Sequence, residues 1–195
     1  MSAPPGVAAE CFELIEDFLP TSRAHTLFAT LLHGLAWTQP TIALFGVRRP
    51  IPRLEAWYGD AEARYRYSGI GHEPLPWTAE LTQLRLMLSQ RARAPLNCVL
   101  ANLYRDGNDS SGWHSDNERE LGVEPTIASL SLGATRRFAL RSHDEPRERI
   151  AFDLVDGSLL VMRGASQQLW QHSIPKEPKV MQSRINLTFR YVIAP

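Results

Sequence analysis

Arg184-Ile185-Asn186-Leu187-Thr188-Phe189-Arg190 alternates polar and apolar side chains without a break. A two-residue period places Arg184, Asn186, Thr188 and Arg190 on one face of an extended strand and Ile185, Leu187 and Phe189 on the other. Such a strand is either a sheet edge with a solvated face or a wall of a binding site. In the second case two Arg and an Asn converge on an anion site, because guanidinium groups suit bidentate carboxylate binding.

Working outward from that strand, residues 96–104, 126–133, 137–141, 149–155 and 158–162 read as further short strands, and the last strand extends over 184–193, with Gly, Pro and Asp at the intervening turns. The first half reads differently. Apolar spacing predicts helices over 11–18 and 23–35, bounded by Pro20 and Gly34, and over 78–91, where Leu81, Leu84 and Leu88 share a face. Residues 41–46 and 64–68 look extended and flank a segment with Arg48, Arg49, Pro50, Pro52 and Arg53, whose breakers predict a loop. The expected fold is α+β, with N-terminal helices packed outside a double-sheet barrel or a jelly roll, the latter being a double-stranded β-helix. Residues 1–95 hold the helices and hairpin region and 96–195 the β core, in one compact domain overall.

The composition suits one globular domain, with 195 residues, 44% hydrophobic and 22% charged. Lys plus Arg and Asp plus Glu are both 21, so the formal charge is zero and only local basic patches are available to a polyanion. Cys11 and Cys98 match no zinc or redox spacing and read as small core residues. The apolar stretch over 25–37 is too short and interrupted to span a bilayer. A cytoplasmic monomer with no membrane partner is expected.

Trp113-His114-Ser115-Asp116 sets His and Asp two residues apart, on one face if extended, as a shared metal requires. Exposed turns carry the same spacing by chance, so the pair alone leaves both readings open. Of the six His, His172 in Trp170-Gln171-His172-Ser173 is the candidate third ligand, just beyond the strand over 158–162. Two imidazoles and one carboxylate on one side of a metal suit non-haem Fe(II) with open positions. Asn102 and Tyr104 share the same side of their own strand.

The run Asn102-x-Tyr104, Gly112-x-His114-x-Asp116, His172 and the strand Arg184 to Arg190 resembles the AlkB family of Fe(II)/2-oxoglutarate dioxygenases in order and spacing. Leu44-Phe45-Gly46, Tyr58-Gly59-Asp60 and Tyr65-Arg66-Tyr67-Ser68-Gly69 look like the hairpin and nucleotide-recognition lid of its branch that repairs double-stranded DNA. The resemblance implies that His114, Asp116 and His172 hold Fe(II), the only catalytic group. It implies that Arg184 pairs with the distal carboxylate of 2-oxoglutarate, and that Asn102, Tyr104, Asn186, Thr188 and Arg190 complete that pocket.

The activity implied is oxidative demethylation of N-alkylated bases such as 1-methyladenine and 3-methylcytosine in DNA. It consumes O₂ and 2-oxoglutarate and releases formaldehyde, succinate and CO₂. Leu44, Phe45 and Gly46 would supply a wedge for base flipping, Tyr65 and Tyr67 the lid, and Asn117 and Glu118 contacts to the base. Asn117 departs from the Asp often found there in the family. Arg48, Arg49, Arg53, Arg136 and Arg137 are the candidate phosphate contacts. Two alternatives remain: the same chemistry on RNA or single strands only, and a non-catalytic lesion-binding module, against which all three ligands and both Arg argue.

Overall fold

A computed structural model describes residues 10–44, 46–63, 65–67, 70–145 and 148–193. In chain order the elements are β1 (Phe12–Ile15), α1 (Thr21–Gly34), β2 (Thr41–Leu44), β3 (Val47–Pro50), β4 (Leu54–Gly59), β5 (Tyr65–Tyr67), β6 (Ile70–His72), α2 (Ala79–Ala92), β7 (Cys98–Tyr104), β8 (Ser111–His114), β9 (Ile127–Gly133), β10 (Arg136–Ser142), β11 (Arg149–Leu154), β12 (Leu159–Met162), α3 (Ser166–Leu169), β13 (Trp170–Ile174) and β14 (Arg184–Arg190).

A six-stranded sheet, ordered β1-β12-β9-β14-β7-β4, and a four-stranded sheet, ordered β11-β10-β13-β8, form the two walls of the jelly roll. The strand read first, β14, is an inner strand flanked by β9 and β7 and buried along its whole length, which excludes the solvated-edge reading. Ile185, Leu187 and Phe189 pack with Leu31 of α1 and Leu81, Leu84 and Leu88 of α2, so the helices cover the outer face of the larger sheet. Between the sheets Phe12, Ile127, Leu160 and Met162 meet Phe138, Leu140, Phe152 and Trp170. Both cysteines are buried free thiols, and burial pushes Cys98 up to about 12.

Helix α2 forms where expected, capped by Thr78, whose side chain accepts from the Leu81 N–H, and ended by Arg93 in the left-handed region. The helix expected over 11–18 is instead the edge strand β1. Phe12 and Leu14 pack between the sheets while four residues pair with β12, and Glu13 bonds Arg91 and Arg163 across the surface. Its apolar spacing fits both periods, and pairing with an open sheet edge decides between them. The loop expected over 48–53 is partly strand as well: β3 pairs with β2 and tolerates Pro50 because this ribbon is exposed. Strand β4 was not foreseen and closes the sheet beside β7. Phe45 lies outside the described residues.

The loop after β7 lies against the loop before β14. The Gly107 N–H donates to the Val180 carbonyl and the Glu177 N–H to the Gly107 carbonyl, both at 2.7 Å. A Cβ on Gly107 would sit 1.8 Å from the Glu177 carbonyl oxygen. Gly107→Ala is expected to lower unfolding free energy by about 1–3 kcal/mol in a denaturant titration. Gly34→Ala, where a Cβ meets nothing within 4 Å, should not. Equal stability of the two variants would mean the loops separate without cost.

Candidate metal and cosubstrate site

Two neighbouring strands of the smaller sheet bring the imidazoles together. His172 on β13 stands in register with His114 at the end of β8, and their ring centroids are 4.2 Å apart. Asp116 follows β8 by two residues, and one ligand atom from each of the three side chains lies within 4.8 Å of the others. The His114 Nδ1 lies 2.8 Å from the Gly112 carbonyl, a bond that leaves Nε2 as the free nitrogen. Phe138 stacks on His172 at 5.2 Å.

Burial alone would raise the Asp116 carboxyl, but Arg190, His172 and His114 hold it at about 2, so it stays a carboxylate. Burial, then His114, pushes His172 down to about 3 against the pull of Asp116, so its ring is neutral with a free lone pair. Its Nδ1 is buried without a partner among the described residues. A compact set of one buried carboxylate, one buried neutral imidazole and the half-buried His114 ring fits a divalent metal.

The polar face of β14 lines the same cavity. Arg184 is 1% exposed, donates from Nη2 to Ser131 Oγ at 2.8 Å and sits 5.3 Å from the centre of the Tyr104 ring. Burial pushes it down to about 10, still cationic at neutral pH. Its Nε and Nη1 are buried and unpartnered among the described residues, an unfinished set that an anionic ligand completes. Asn186 donates to Ser129 Oγ at 2.8 Å and accepts from Thr188 Oγ1 at 2.9 Å.

Asn102 and Arg190, also expected around the cosubstrate, line the same cavity, and each is bonded to a neighbouring side chain. Arg190 donates to Asp116 Oδ2 from Nη2 at 2.7 Å and from Nε at 3.2 Å, so it faces the metal side. Asn102 Oδ1 accepts from Arg53 Nε at 2.8 Å, and Arg53 Nη2 donates to Glu55 at 2.7 Å. Arg53 and Arg136 are buried and correct the expectation of phosphate contacts. Arg136 is bound to Glu177 and to the Asp106, Asp109 and Pro175 carbonyls. Arg48, Arg49 and Arg137 are exposed.

Glu118 lines the cavity and its Oε2 is buried without a partner among the described residues, whereas Asn117 is exposed. Leu44 and Gly46 belong to the β2–β3 ribbon, Gly46 with φ of 78°, and Tyr65 and Tyr67 to β5.

Several supporting residues escaped sequence reading. Ser129 and Ser131 alternate with Ala128, Leu130 and Leu132 along β9, a pattern that marks a polar inner face. Gln167, 1% exposed, accepts from the Asp116 N–H at 2.9 Å, and the Ser115 hydroxyl donates to the Trp170 carbonyl at 2.9 Å. These contacts join residues far apart in the chain and carry no local signal.

Residues 12–190 match the family described as the 2OG-Fe(II) oxygenase superfamily. The chain is 41% identical over 199 residues to alpha-ketoglutarate-dependent dioxygenase alkB homolog 3 of Bos taurus, covering 97% of this chain and 68% of that protein. It is 40% identical over 159 residues to DNA oxidative demethylase ALKBH2 of Homo sapiens, covering 78% and 61%. Among solved structures, OsALKBH1 superposes with a TM-score of 0.63 at 17% identity, over 92% of this chain and 97% of that one. A prolyl hydroxylase from Trichoplax adhaerens gives 0.64 at 15% identity, over 93% and 83%. At such identities these two structures bear on the fold alone.

Arg190→Met leaves the Asp116 carboxylate buried without its nearest cation. Affinity for Mn(II), titrated in the absence of substrate, is expected to fall about 10- to 100-fold. Unchanged affinity would separate the ion pair from metal binding.

Proposed function

Because the chain belongs to the 2OG-Fe(II) oxygenase superfamily, an enzyme family dependent on Fe(II), 2-oxoglutarate and O₂, we propose that it demethylates N-alkylated bases of the 1-methyladenine and 3-methylcytosine type in DNA. His114, Asp116 and His172 would hold the metal. Arg184 would take one carboxylate of 2-oxoglutarate, with Tyr104, Asn186 and Thr188 around it. Bound there, the metal and cosubstrate supply the oxidising power that turns N–CH₃ into N–CH₂OH while 2-oxoglutarate and O₂ become succinate and CO₂; the hydroxymethyl group then leaves as formaldehyde.

The observation that carries the base assignment is Glu118. An unpartnered carboxylate oxygen, buried in the wall of the cavity that holds the three ligands, suits a cationic methylated base. It accepts from the exocyclic amine and offsets the positive charge. Reaching this cavity requires an extruded or single-stranded nucleotide. A relative named as a DNA oxidative demethylase supports DNA over RNA, and the exposed Arg48 and Arg49 offer phosphate contacts beside the hairpin turn.

The test is formaldehyde release from matched single- and double-stranded oligonucleotides carrying one 1-methyladenine. Wild type should turn over, and His114→Ala, Asp116→Ala and His172→Ala should not. Arg184→Ala should raise the KM for 2-oxoglutarate at least tenfold with oligonucleotide affinity unchanged; the reverse pattern would overturn the cosubstrate assignment.

The hairpin assignment predicts that Phe45→Ala depresses turnover on the duplex far more than on the single strand, because a wedge offsets only the unstacking cost of roughly a few kcal/mol. Equal loss on both would make Phe45 a packing residue. No loss on either would assign duplex opening elsewhere.

A further inference from the structure

The outer face of the four-stranded sheet, turned away from His114 and His172, carries a groove of its own. Small side chains make its floor, Ala139 on β10, Ala151 on β11 and Ser173 on β13, so the sheet is open to a ligand there. Arg137, Arg149, Lys176 and Trp113 rise around it, and none of its described lining residues is acidic. In a chain whose formal charge is zero, this is a local separation of charge.

The ladder makes one of these cations expensive. Arg141 stands directly opposite Arg149 across β10 and β11, and like charges so opposed destabilise a sheet. Arg141 is accounted for by Gln171, whose Oε1 accepts from its Nε at 2.7 Å, and by the Trp113 ring, 4.6 Å from its guanidinium. Arg137 is opposite Asp153. Arg149 and Lys176 are exposed and have no ion pair among the described residues.

The groove also leads to the catalytic cavity. Ser111 lines both, and β8 is the free edge of this sheet as well as the carrier of His114. We propose that the groove is a track for single-stranded nucleic acid flanking the base in the cavity, with Arg149 and Lys176 on phosphates and Trp113 as an aromatic surface for a neighbouring base. A flexible single strand can pass round a sheet edge, and interleaved cations and aromatics are what sequence-independent binding of it uses. The proposal rests on the nucleic-acid reading above, but its test requires no turnover.

The experiment measures fluorescence anisotropy of an unmodified, labelled single-stranded DNA of about 16 nucleotides against the intact protein over a series of salt concentrations. Arg149→Glu/Lys176→Glu should bind it about tenfold more weakly at low salt, with the slope of log K against log salt reduced by at least about 1. Arg149→Ala/Lys176→Ala should shift both in the same direction by less. The thermal midpoint should stay level or rise, because the charge opposite Arg141 is removed, and 2-oxoglutarate turnover with a free methylated nucleotide should match wild type, since neither residue lines the cavity.

Wild-type affinity and slope in the reversal variant would overturn the groove, as would a wild type that does not bind the strand. Demethylation of oligonucleotides with no change in variant binding would sink the groove alone. Salt-dependent binding lost in the variant, without demethylation of any oligonucleotide, would sink the proposed reaction and leave the groove standing.

Discussion

A guanidinium taken out of water costs several kcal/mol unless the surrounding structure repays it, and the inner face of β14 carries two. Arg190 is met by the Asp116 carboxylate. Arg184 is met by Ser131 and the Tyr104 ring, and only in part. Strands that border β14 must therefore place small polar or aromatic side chains opposite it, as β9 does with Ser129 and Ser131 and β7 with Asn102 and Tyr104. The other face of the same strand carries Ile185, Leu187 and Phe189, all fully buried, which obliges α1 and α2 to cover it. A polar interior and an apolar exterior layer are thus two consequences of one alternation.

Arg184 and Arg190 are six residues apart, about 20 Å along an extended strand. One end of the cavity accordingly has an incompletely satisfied cation, and the other has a cation committed to the metal-side carboxylate. The strand separates two functions by length alone. Donors remain at the Arg184 end, which suits the anionic ligand proposed there, and Asp116 is kept ionised at the Arg190 end.

The metal side depends on the smaller sheet and on braces across it. His114 and His172 meet because β8 and β13 pair, while the Asp116 loop is tied to residues 167 and 170 by a side-chain amide and a hydroxyl. Side chains held by several bonds lose little entropy when a metal arrives. The outward face of these same strands is free of that duty, which leaves Trp113 and Gln171 to hold Arg141.

Long periodic segments were legible in the sequence. Residues 184–190, 126–133 and 78–91 carry enough repeats for one period to win, whereas the spacing of His114 and Asp116 alone left the metal reading open, and it was the family resemblance carried by these residues with His172 and Arg184 that implied the chemistry. Short segments were not: residues 11–18 fit a helix as well as a strand until β12 offered an unpaired edge, and β8 and β13 are too short and polar to announce themselves. Charge alone likewise failed to separate Arg53 and Arg136, buried among carboxylates and carbonyls, from the exposed Arg48 and Arg49. The sequence by itself determined which side chains share a strand face, because that is set by backbone geometry within a few residues. Which faces meet, which arginine is already paired and which carboxylate oxygen is left without a partner were decided only by the tertiary structure, because burial and hydrogen bonding are set by groups distant in the chain.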